Sequence, residues 1–562
     1  MRALWLLAVA SLPVGRLASP PLPNDLVARG RHGAVVSAEP HATAVGLDVL
    51  RRGGNAVDAA VAVALTLAVT HPQAGNLGGG GFLLVHTVDG RTGAIDFREQ
   101  APKSATTDMY LRADGTVDGD KCQWGATAAG VPGSPAGLLF ALQKYGTWSL
   151  ADVAAPAIRL AREGIEVDQF LAGALAHKTE LLGRYESTRT IFFKDGKPLV
   201  QGDVLVQEDL AGTLERFAKA GLDGFYGGDT AARIVAQMER DGGFVTARDL
   251  ASYTIKERDV LRGSYRGHEV LSMPPPSSGG VALLQMLNLL AKYDLQAMGF
   301  GGSDSIHLLT EVMRRAYADR ARWLGDPDFY AVPVAGLVSA EYAEKLGGTI
   351  DLEHRSEVAP GLPPGAKGSD DTTHFSVVDK DGNVVSCTTT INSTFGSALV
   401  VDGAGFFLNN EMDDFSAKPG VPNQFGLVGG EANAIAPQKR MLSSMTPTIV
   451  LRDGKPRLVL GSPGGGRIIT TVLQVLLNVV DHGMPLDRAV AAPRIHHQWQ
   501  PDEILREPLA APPDVRAALA AKGHAFARHS TSIGRVQAIE ILADGTRFGV
   551  CDPRSGGSTA AY

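Results

Sequence analysis

The sequence predicts a layered α+β fold. Three observations support this: helix patterns and a β-hairpin come first, a long helical region follows, and strand patterns resume after a proline- and glycine-rich stretch. Helices and strands that occur in runs favour helices packed on antiparallel sheets. A length of 562 residues allows roughly two to four ordinary domains or one large unit with insertions.

Two helices are predicted at the start of this pattern, in the stretch that begins at Val35. The first should end at the glycine pair starting at Gly53, because glycine commonly terminates a helix. The second should begin near Asn55, which can cap it, and end at His71 before a proline. Apolar residues lie on nearly every side of this second helix, so we expect it to be buried.

The next elements are a hairpin and a long helical region. The stretch "GGGGFLLVHTVDGRTGAIDFRE" has apolar strands on either side of turn residues. The preceding "GNLGGGGF" at Gly75 lacks the strand and spacing of a dinucleotide fingerprint, and we interpret it as a site of crowded backbone. Residues 149–345 are mostly helical in pattern. From Ala359 to Asp371 the composition is that of a linker or exposed loop.

Strand patterns return at Thr372. The stretch "TTHFSVV" is followed by "DKDGN", a strong turn signal, and by the return strand "VVSCTTTIN". A further hairpin is predicted in "PTIVLRDGKPRLVLGSPGGG", and a helix should run from about Ile468 to Asp481.

Composition and motif content exclude several functions. The net charge is -7 without a basic patch, which argues against nucleic-acid binding. Cys122, Cys387 and Cys551 are too few and too far apart for a disulfide framework or a zinc site, so we expect packed residues. His496 and His497 are adjacent and make a poor metal pair. The sequence has no G-x-S-x-G elbow, P-loop or H-E-x-x-H motif.

The N-terminus has the character of an export signal. Residues 1–25 combine Arg2, a short apolar run and small residues near imperfect cleavage contexts. We predict a signal peptide here, with a disordered N-terminus as the alternative. The most apolar later segment, from Ala59, is shorter than the ~20 residues of a membrane-spanning helix. We therefore expect no stable membrane span.

Thr372 is a candidate nucleophile. A threonine hydroxyl needs a base within hydrogen-bond reach, and an N-terminal threonine supplies one in its own α-amino group. Thr372 opens a predicted strand and follows a linker, where a cut would disrupt little. By this chemistry, cleavage after Asp371 would create the free amine. From spacing alone, an ordinary strand start remains the alternative.

Several segments carry a resemblance to a known family. The stretch "TTHFSVVDKDGNVVSCTTTINSTFGS" resembles the nucleophile region of the γ-glutamyltranspeptidases, which are N-terminal nucleophile hydrolases. "DFREQAP", "LNNEMDDFSAKPGVPN", "MLSSMTPTIV" and "GSPGGGRIITTVLQ" also resemble family segments in the family's order. The resemblance implies a four-layer αββα sandwich. It also implies a precursor that cuts itself between Asp371 and Thr372 into a large subunit, residues 26–371, and a small subunit, residues 372–562.

The resemblance further implies catalytic roles. Thr372 would be the nucleophile for self-cleavage and then for substrate, and Thr390 would orient it by a hydrogen bond. The backbone N–H groups of Gly464 and Gly465 would stabilise the oxyanion. His374 is not needed as the base, because Thr372 carries its own.

A γ-glutamyl donor has a zwitterionic amino-acid end, so its site must offer both signs of charge. Arg98 would pair with the α-carboxylate, where a guanidinium fork suits two oxygens. The other residues that the resemblance assigns to this end are Ser443 and Ser444, for the carboxylate, and Asn392, Glu411 and Asp414, for the ammonium.

The stretch "SAKPGVPNQFGLVGG", here called the lid loop (Ser416–Gly430), resembles a loop that covers the site in many family members. Relatives with this loop often have a tyrosine where Phe425 stands, and its hydroxyl reaches the residue equivalent to Asn392. Phe425 has no hydroxyl. We therefore expect a looser lid and easier access for water or bulkier acceptors.

The predicted function is that of a self-processing γ-glutamyltransferase and glutathione hydrolase. Glutathione and related γ-glutamyl compounds would be donors, water or amino acid and peptide acceptors would complete the reaction, and no metal or organic cofactor is implied. One alternative is a cephalosporin (glutaryl) acylase on the same scaffold. The other is an unprocessed protein that only binds γ-glutamyl compounds. Export would place the protein in the periplasm or outside the cell.

Overall fold

The computed structural model describes residues 22–361 and 373–562. The N-terminal segment up to residue 21, most of the predicted linker, and both Asp371 and Thr372 lie outside the described residues. The prediction of a signal peptide and that of a cleavage site therefore concern residues beyond this description.

Short strands are distributed over the whole described chain. In chain order they are β1 (Val27–Gly30), β2 (Ala34–Ser37), β3 (Gly80–His86), β4 (Thr92–Asp96), β5 (Ile165–Glu166), β6 (Phe193–Lys194), β7 (Lys197–Pro198), β8 (Val204–Leu205), β9 (Lys256–Arg258), β10 (Leu261–Tyr265), β11 (His268–Ser272), β12 (Thr373–Val378), β13 (Val384–Thr390), β14 (Thr448–Arg452), β15 (Lys455–Gly461), β16 (Ile495–His496), β17 (Leu505–Arg506), β18 (Gln537–Ile541), β19 (Arg547–Cys551) and β20 (Ser558–Ala561).

Helices lie between many of these strands. They are α1 (Pro40–Arg51), α2 (Ala56–Thr70), α3 (Gly119–Gln123), α4 (Ser134–Tyr145), α5 (Leu150–Glu163), α6 (Gln169–His177), α7 (Thr179–Leu182), α8 (Glu186–Phe192), α9 (Glu208–Ala220), α10 (Asp223–Tyr226), α11 (Gly228–Asp241), α12 (Ala247–Ala251), α13 (Gly279–Leu290), α14 (Leu295–Met298), α15 (Ser303–Trp323), α16 (Val334–Leu337), α17 (Ala340–Gly347), α18 (Arg467–Val480), α19 (Leu486–Ala491) and α20 (Pro513–Ala521), with 3-10 turns at Ala126–Ala128, Glu411–Asp414 and Glu431–Asn433.

Two seven-stranded antiparallel sheets form the centre of the molecule. One has the order β1-β19-β18-β15-β14-β11-β10 and the other β20-β2-β12-β13-β3-β4-β9. A buried apolar cluster that includes Phe82, Val384 and Ile449 joins their facing sides. Two larger clusters pack helices on the outer faces, one around α2 and one around α13 and α18. These layers confirm the αββα sandwich.

The start of helix α2 shows why the sequence around Asn55 predicted a helix there. The Asn55 side chain accepts hydrogen bonds from the backbone N–H groups of Val57 and Asp58, and the Asp58 carboxylate accepts one from the Asn55 backbone in return. This reciprocal capping satisfies backbone donors that a helix start leaves unpaired. All residues from Ala56 to Thr70 are buried. The predicted helix pair and the predicted burial of its second helix are confirmed.

The predicted hairpins are also confirmed. β3 pairs with β4, β12 with β13, and β14 with β15, all antiparallel. The helix predicted near Ile468–Asp481 is α18. The region 149–345 is mostly helical as expected, but the strands β5 to β11 interrupt it. These strands have only two to five residues each, and such short segments carry little periodicity.

The glycine run before β3 is a place of close backbone contact. A Cβ atom on Gly79 would lie 1.9 Å from the Thr390 carbonyl oxygen, and one on Gly80 would lie 2.6 Å from the Glu99 carboxylate. No side chain fits at these distances. The interpretation of this stretch as a site of crowded backbone is confirmed.

Other sequence-based expectations concern single residues. Cys122, Cys387 and Cys551 are free and buried, as expected of packed residues. His496 contacts Thr470 and Gln498 through hydrogen bonds. Within residues 22–361 and 373–562, no helix combines the length and apolar character needed to cross a bilayer.

Candidate active site

Arg98 lies two residues beyond the end of β4 and is completely buried. Its Nη1 is 2.6 Å from Glu411 Oε2, and its Nη2 is 2.6 Å from Asp414 Oδ2. The guanidinium also donates to the backbone carbonyls of Met441 and Leu442. The side chain therefore brings together the end of β4, the 3-10 turn at 411–414 and the segment that leads to Ser443.

The two acids sit on that 3-10 turn, and Asn409 holds it in place. The Asn409 amide oxygen accepts hydrogen bonds from the backbone N–H groups of Gly130 and Glu411, while its amide nitrogen donates to the carbonyls of Gly78 and Gly130. All of these groups are buried. A buried asparagine that uses both ends of its amide fixes the backbone on which Glu411 and Asp414 are mounted.

Burial and charge together shift the protonation of this cluster. Burial and the Glu411 carboxylate raise the pKa of Glu99 well above its ordinary range. Burial also raises the pKa of Glu411, and the Arg98 cation opposes that shift. Burial works to lower the pKa of Arg98, but Glu411, Glu99 and Asp414 outweigh it and hold that pKa above its ordinary value. The guanidinium therefore stays charged among carboxyl groups that resist full ionisation.

Ser443 and Ser444 lie beside this cluster and are completely buried. The Ser443 Oγ accepts a hydrogen bond from the Met445 backbone N–H at 3.1 Å. The Ser444 Oγ has no hydrogen-bond partner among the residues that the structure describes. A buried hydroxyl without a partner costs about 1–3 kcal/mol, which makes Ser444 a candidate for binding a ligand oxygen.

Thr390 is the last residue of β13, and Asn392 lies two residues after it. The Thr390 Oγ1 accepts the backbone N–H of Asn392 at 2.7 Å, and Asn392 has a left-handed φ of 70°. The Asn392 Nδ2 donates to the Asn410 carbonyl at 2.9 Å. Its Oδ1 is buried without a partner in the described part of the chain. Thr390 thus supports the unusual backbone that directs the Asn392 amide.

Gly464 and Gly465 lie in the turn between β15 and α18. Their φ angles are 135° and 64°, both in the range that favours glycine. Their carbonyls accept the N–H groups of Arg467 and Ile468. Within the described residues, neither glycine N–H is donated to a backbone or side-chain acceptor. Two free N–H groups beside a helix start are suited to binding an oxyanion.

His374 is occupied within the sheet. Its Nδ1 contacts the Thr388 hydroxyl at 2.9 Å, its Nε2 contacts the Ser376 hydroxyl at 3.0 Å, and the ring is buried. Burial lowers its pKa to about 3. Both ring nitrogens are used by hydroxyls of neighbouring strand residues, which agrees with the expectation that His374 is not the base.

The lid loop forms a tight turn near its tip. The Asn423 Oδ1 accepts the backbone N–H groups of Phe425 and Leu427, and the Asn423 N–H donates to the Leu427 carbonyl. The half-buried Phe425 side chain packs against the apolar cluster that contains Leu427. The loop is folded back on itself rather than extended.

Sequence reasoning missed several residues of this region. Glu99 is buried against Arg98, with Oε2 3.3 Å from Nη1, although it follows Arg98 directly in the sequence. Asn409, Ser393 and Gln424 were also not predicted. No local pattern distinguishes these polar residues from surface residues, because their partners are distant in the chain.

The charged and polar groups of this site indicate which kind of ligand it can bind. A buried cation and two acids lie within hydrogen-bond distance of each other, which suits a ligand end that carries both charges. Among the described residues, the Ser444 hydroxyl and the Asn392 amide oxygen near this cluster have no hydrogen-bond partner, and the N–H groups of Gly464 and Gly465 at the β15–α18 turn have no acceptor.

Comparisons with known proteins agree with this geometry. A family model described as Gamma-glutamyltranspeptidase matches residues 42–562. The "Glutathione hydrolase proenzyme" of Escherichia coli (strain K12) is 51% identical over 532 residues, which cover 94% of this chain and 91% of that protein.

Solved structures show similar folds. A cephalosporin acylase from Bacillus halodurans superimposes with a TM-score of 0.86 at 29% identity, covering 99% of both chains. The gamma-glutamyltranspeptidase of Helicobacter pylori gives a TM-score of 0.56 at 44% identity, covering 60% of this chain and 95% of that one.

Proposed function

The chain belongs to the gamma-glutamyltranspeptidase family, and on that premise we propose that it cuts itself and then cleaves γ-glutamyl amides. Glutathione and related compounds are the donors, and water or the amine of an amino acid or peptide is the acceptor. The observation that carries this proposal is the buried contact of Arg98 with Glu411 and Asp414. It provides both signs of charge for an amino-acid end.

Self-cleavage would occur between Asp371 and Thr372. The Thr372 hydroxyl oxygen attacks the Asp371 carbonyl carbon, the peptide C–N bond breaks, and the leaving nitrogen takes a proton. The Thr372 amine is free from that point, and water then hydrolyses the resulting ester to an Asp371 carboxylate and the regenerated Thr372 hydroxyl. In support, β12 begins at Thr373, directly after the proposed cleavage site, and pairs Thr373 with Thr389 in the strand that ends at Thr390.

The two products, residues 26–371 and 372–562, would stay together. One sheet contains β1, β10 and β11 from the first segment and β14, β15, β18 and β19 from the second. The other sheet likewise combines β2, β3, β4 and β9 with β12, β13 and β20. Both sheets contain strands from both segments. A cut at one peptide bond therefore leaves the hydrogen bonds between the strands intact.

Donor binding would place the amino-acid end beside Arg98. The α-carboxylate would accept hydrogen bonds from Arg98 and from the hydroxyls of Ser443 and Ser444. The α-ammonium would donate to Glu411, Asp414 and the Asn392 Oδ1. These roles use two of the buried polar atoms that lack hydrogen-bond partners within the described residues, Asn392 Oδ1 and Ser444 Oγ.

Catalysis would then follow a ping-pong course. Thr372 attacks the γ-carbonyl carbon while its own α-amine takes the hydroxyl proton, and the N–H groups of Gly464 and Gly465 stabilise the oxyanion. The donor amine leaves with a proton, which gives a γ-glutamyl ester on Thr372. Water or an acceptor amine releases the glutamyl group. One oxyanion donor of this kind contributes about 3 kcal/mol.

Two experiments test the proposal. Gel electrophoresis of the wild type should give two bands that sum to the precursor, and Thr372→Ala should give one. A chromogenic γ-glutamyl anilide should be cleaved, and a dipeptide acceptor should increase the rate. Cleavage of a glutaryl anilide alone would favour the acylase, and a single band for the wild type would favour the binding protein.

Export to the periplasm or the cell exterior is part of the same proposal. It is supported by the basic start, apolar run and small residues within residues 1–25. Cell fractionation tests it: full-length protein confined to the cytoplasm would contradict it.

A further inference from the structure

The lid loop (Ser416–Gly430) is tied to two different parts of the fold. On one side it contacts the segment that carries the donor-site acids. On the other it contacts the β15–α18 turn and the segment around His496. The contacts that hold it are hydrogen bonds and apolar packing. Gln424 and Lys418 each take part in a side-chain hydrogen bond of 2.7 Å, Gln424 with Ser393 and Lys418 with the exposed Gly115 carbonyl.

The first group of contacts involves Asn423 and Gln424. The Ser393 hydroxyl donates to Gln424 Oε1 at 2.7 Å. The Gln424 backbone N–H donates to Asp413 Oδ2 at 3.3 Å. The Asn423 Nδ2 donates to Asp414 Oδ1 at 3.4 Å. The tip of the loop is therefore held against the same turn that carries Glu411 and Asp414.

The second group ties the loop to the opposite side. A Cβ atom on Gly466 would lie 3.0 Å from Leu427 Cδ2, so the buried Leu427 side chain rests on the turn that contains Gly464 and Gly465. The Gln498 Nε2 donates to the Phe425 carbonyl at 3.2 Å. The loop tip thus spans from the proposed donor site to the proposed oxyanion donors.

Ser393 connects Gln424 to Asn392. The Asn410 Nδ2 donates to the Ser393 Oγ at 3.0 Å, the Ser393 backbone N–H donates to Asn410 Oδ1, and the Asn392 Nδ2 donates to the Asn410 carbonyl. A serine hydroxyl has one proton, and here it is directed at Gln424. The lid loop is therefore linked through Ser393 and Asn410 to the side-chain amide of Asn392, which is proposed to bind the substrate.

We propose that Gln424 is a positioning residue that holds the lid loop over the site through Ser393. Gln424 directly precedes Phe425. Its side-chain amide accepts a hydrogen bond from Ser393, whereas the Phe425 side chain can form none. The inference rests on the proposed function only in its catalytic consequence. With the loop held, the γ-glutamyl ester is shielded from water and open to acceptors of limited size.

Hydrogen exchange of the lid amides tests the hydrogen bond directly, without any substrate. Gln424→Ala and Ser393→Ala should each speed the exchange of amides in residues 420–430 about fivefold, since a net hydrogen bond amounts to roughly a two- to tenfold change in an equilibrium. The double variant should exchange no faster than either single one, because both remove the same interaction. Ser393→Thr, which keeps the hydroxyl, should restore the wild-type rate.

The matched control is Val421→Ala in the same loop, because Val421 is 38% exposed. Its exchange rate should equal that of the wild type. Unchanged exchange in Gln424→Ala, or effects of the two single variants that simply add in the double variant, would overturn the proposal. These outcomes do not depend on whether the enzyme accepts γ-glutamyl donors.

The catalytic consequence is measured separately. In Gln424→Ala the ratio of transfer to hydrolysis should fall about threefold, with the KM for the donor anilide nearly unchanged, because an open loop admits water. An unchanged ratio despite faster exchange would overturn the catalytic role of Gln424. Absence of γ-glutamyl cleavage in the wild type would instead contradict the proposed function, and the exchange data would still decide whether Gln424 holds the loop.

Discussion

The Nη2 atom of Arg98 and the Oδ2 atom of Asp414 lie 2.6 Å apart, and neither side chain is exposed to solvent. Their positions in the chain differ by 316 residues. Removing one partner of a buried pair leaves an uncompensated charge, which commonly costs about 3–5 kcal/mol. A zwitterionic ligand end can take the place of both partners at once, since it brings a carboxylate to Arg98 and an ammonium to Asp414.

Asp414→Asn should separate ammonium binding from acyl chemistry. We expect kcat/KM for a γ-glutamyl anilide to fall about 100-fold, because a charged hydrogen bond to the ammonium is lost. A glutaryl anilide lacks the ammonium, so its cleavage should fall far less. Steady-state kinetics on both substrates provides the measurement. Asp402→Asn, a change of an exposed carboxylate, is the control, and equal losses on both substrates would argue against ammonium binding.

Replacing Ser443 or Ser444 with alanine should change the thermal stability of the protein differently, although both serines are proposed to bind the α-carboxylate of the donor. Ser444→Ala removes a hydroxyl without a partner in the described residues, so the Tm should stay the same or rise slightly, while KM for the donor rises about tenfold. Ser443→Ala also removes the acceptor for the Met445 N–H and should lower the Tm. Thermal unfolding and donor KM are measured for both. A lower Tm in Ser444→Ala would indicate a structural role.

Gly464→Ala should affect kcat more than binding. Its φ of 135° is unfavourable for alanine, although the nearest atom to an added Cβ is 3.4 Å away. The backbone should shift and misdirect the N–H, which lowers kcat about 100-fold with little change in KM. Gly454→Ala, at a positive φ in the β14–β15 turn, controls for backbone strain alone. A similar loss of kcat in that control would contradict the oxyanion role.

Phe425→Tyr tests the expectation that the missing hydroxyl loosens the lid. If that expectation holds, the tyrosine should slow hydrogen exchange of residues 420–430 and raise the ratio of transfer to hydrolysis. Equal ratios in the wild type and the variant would refute it. Comparison with Gln424→Ala then shows which of the two neighbouring side chains governs the loop.

Asp319 should make stability depend on pH. Its carboxylate accepts hydrogen bonds from the Gly361 N–H, the Tyr342 hydroxyl and Gln285, yet burial raises its pKa to about 6. The folded protein therefore binds this proton more tightly than the unfolded chain, in which the pKa is the ordinary 3.8. The tighter proton binding by Asp319 stabilises the folded state. This stabilisation is fully present below pH 3.8 and is lost as the pH rises through about 6.

The matching measurement is the Tm of the wild type and Asp319→Asn between pH 4 and about 7. The carboxylate contributes up to roughly 3 kcal/mol of change over this range, so the wild-type Tm should decline relative to that of the variant. Asp48→Asn, at an exposed site on α1, should keep the wild-type slope. Parallel curves for the wild type and Asp319→Asn would exclude the assignment.

Local patterns made much of the fold predictable. The cap at Asn55, the glycine pair after α1 and the turn residues "DKDGN" mark boundaries that depend on neighbours within a few residues. The short strands β9 and β11 were missed because they pair with β4 and β14, which lie far away in the chain. The strand β10 pairs with its neighbour β11, but its five residues carry little periodicity.

The candidate site was predictable as a set of residues but not as a set of contacts. Resemblance to a family pointed to Arg98, Glu411, Asp414 and the serines. It did not reveal that Arg98 pairs with the two acids within the protein, or that Glu99 is buried beside them. Gln424 and Ser393 resemble ordinary polar loop residues until the fold brings them within 2.7 Å.

The sequence by itself determined the helix pair, the hairpins and the family, and it carries the proposal that a cut turns Thr372 into a nucleophile. These features depend on local propensity, turn chemistry and motif order. The tertiary structure alone decided which charges face each other, which hydroxyl lacks a partner among the described residues, and which side chain ties the lid loop. Such relationships arise from contacts between distant parts of the chain, where packing and burial rather than local pattern set the energy.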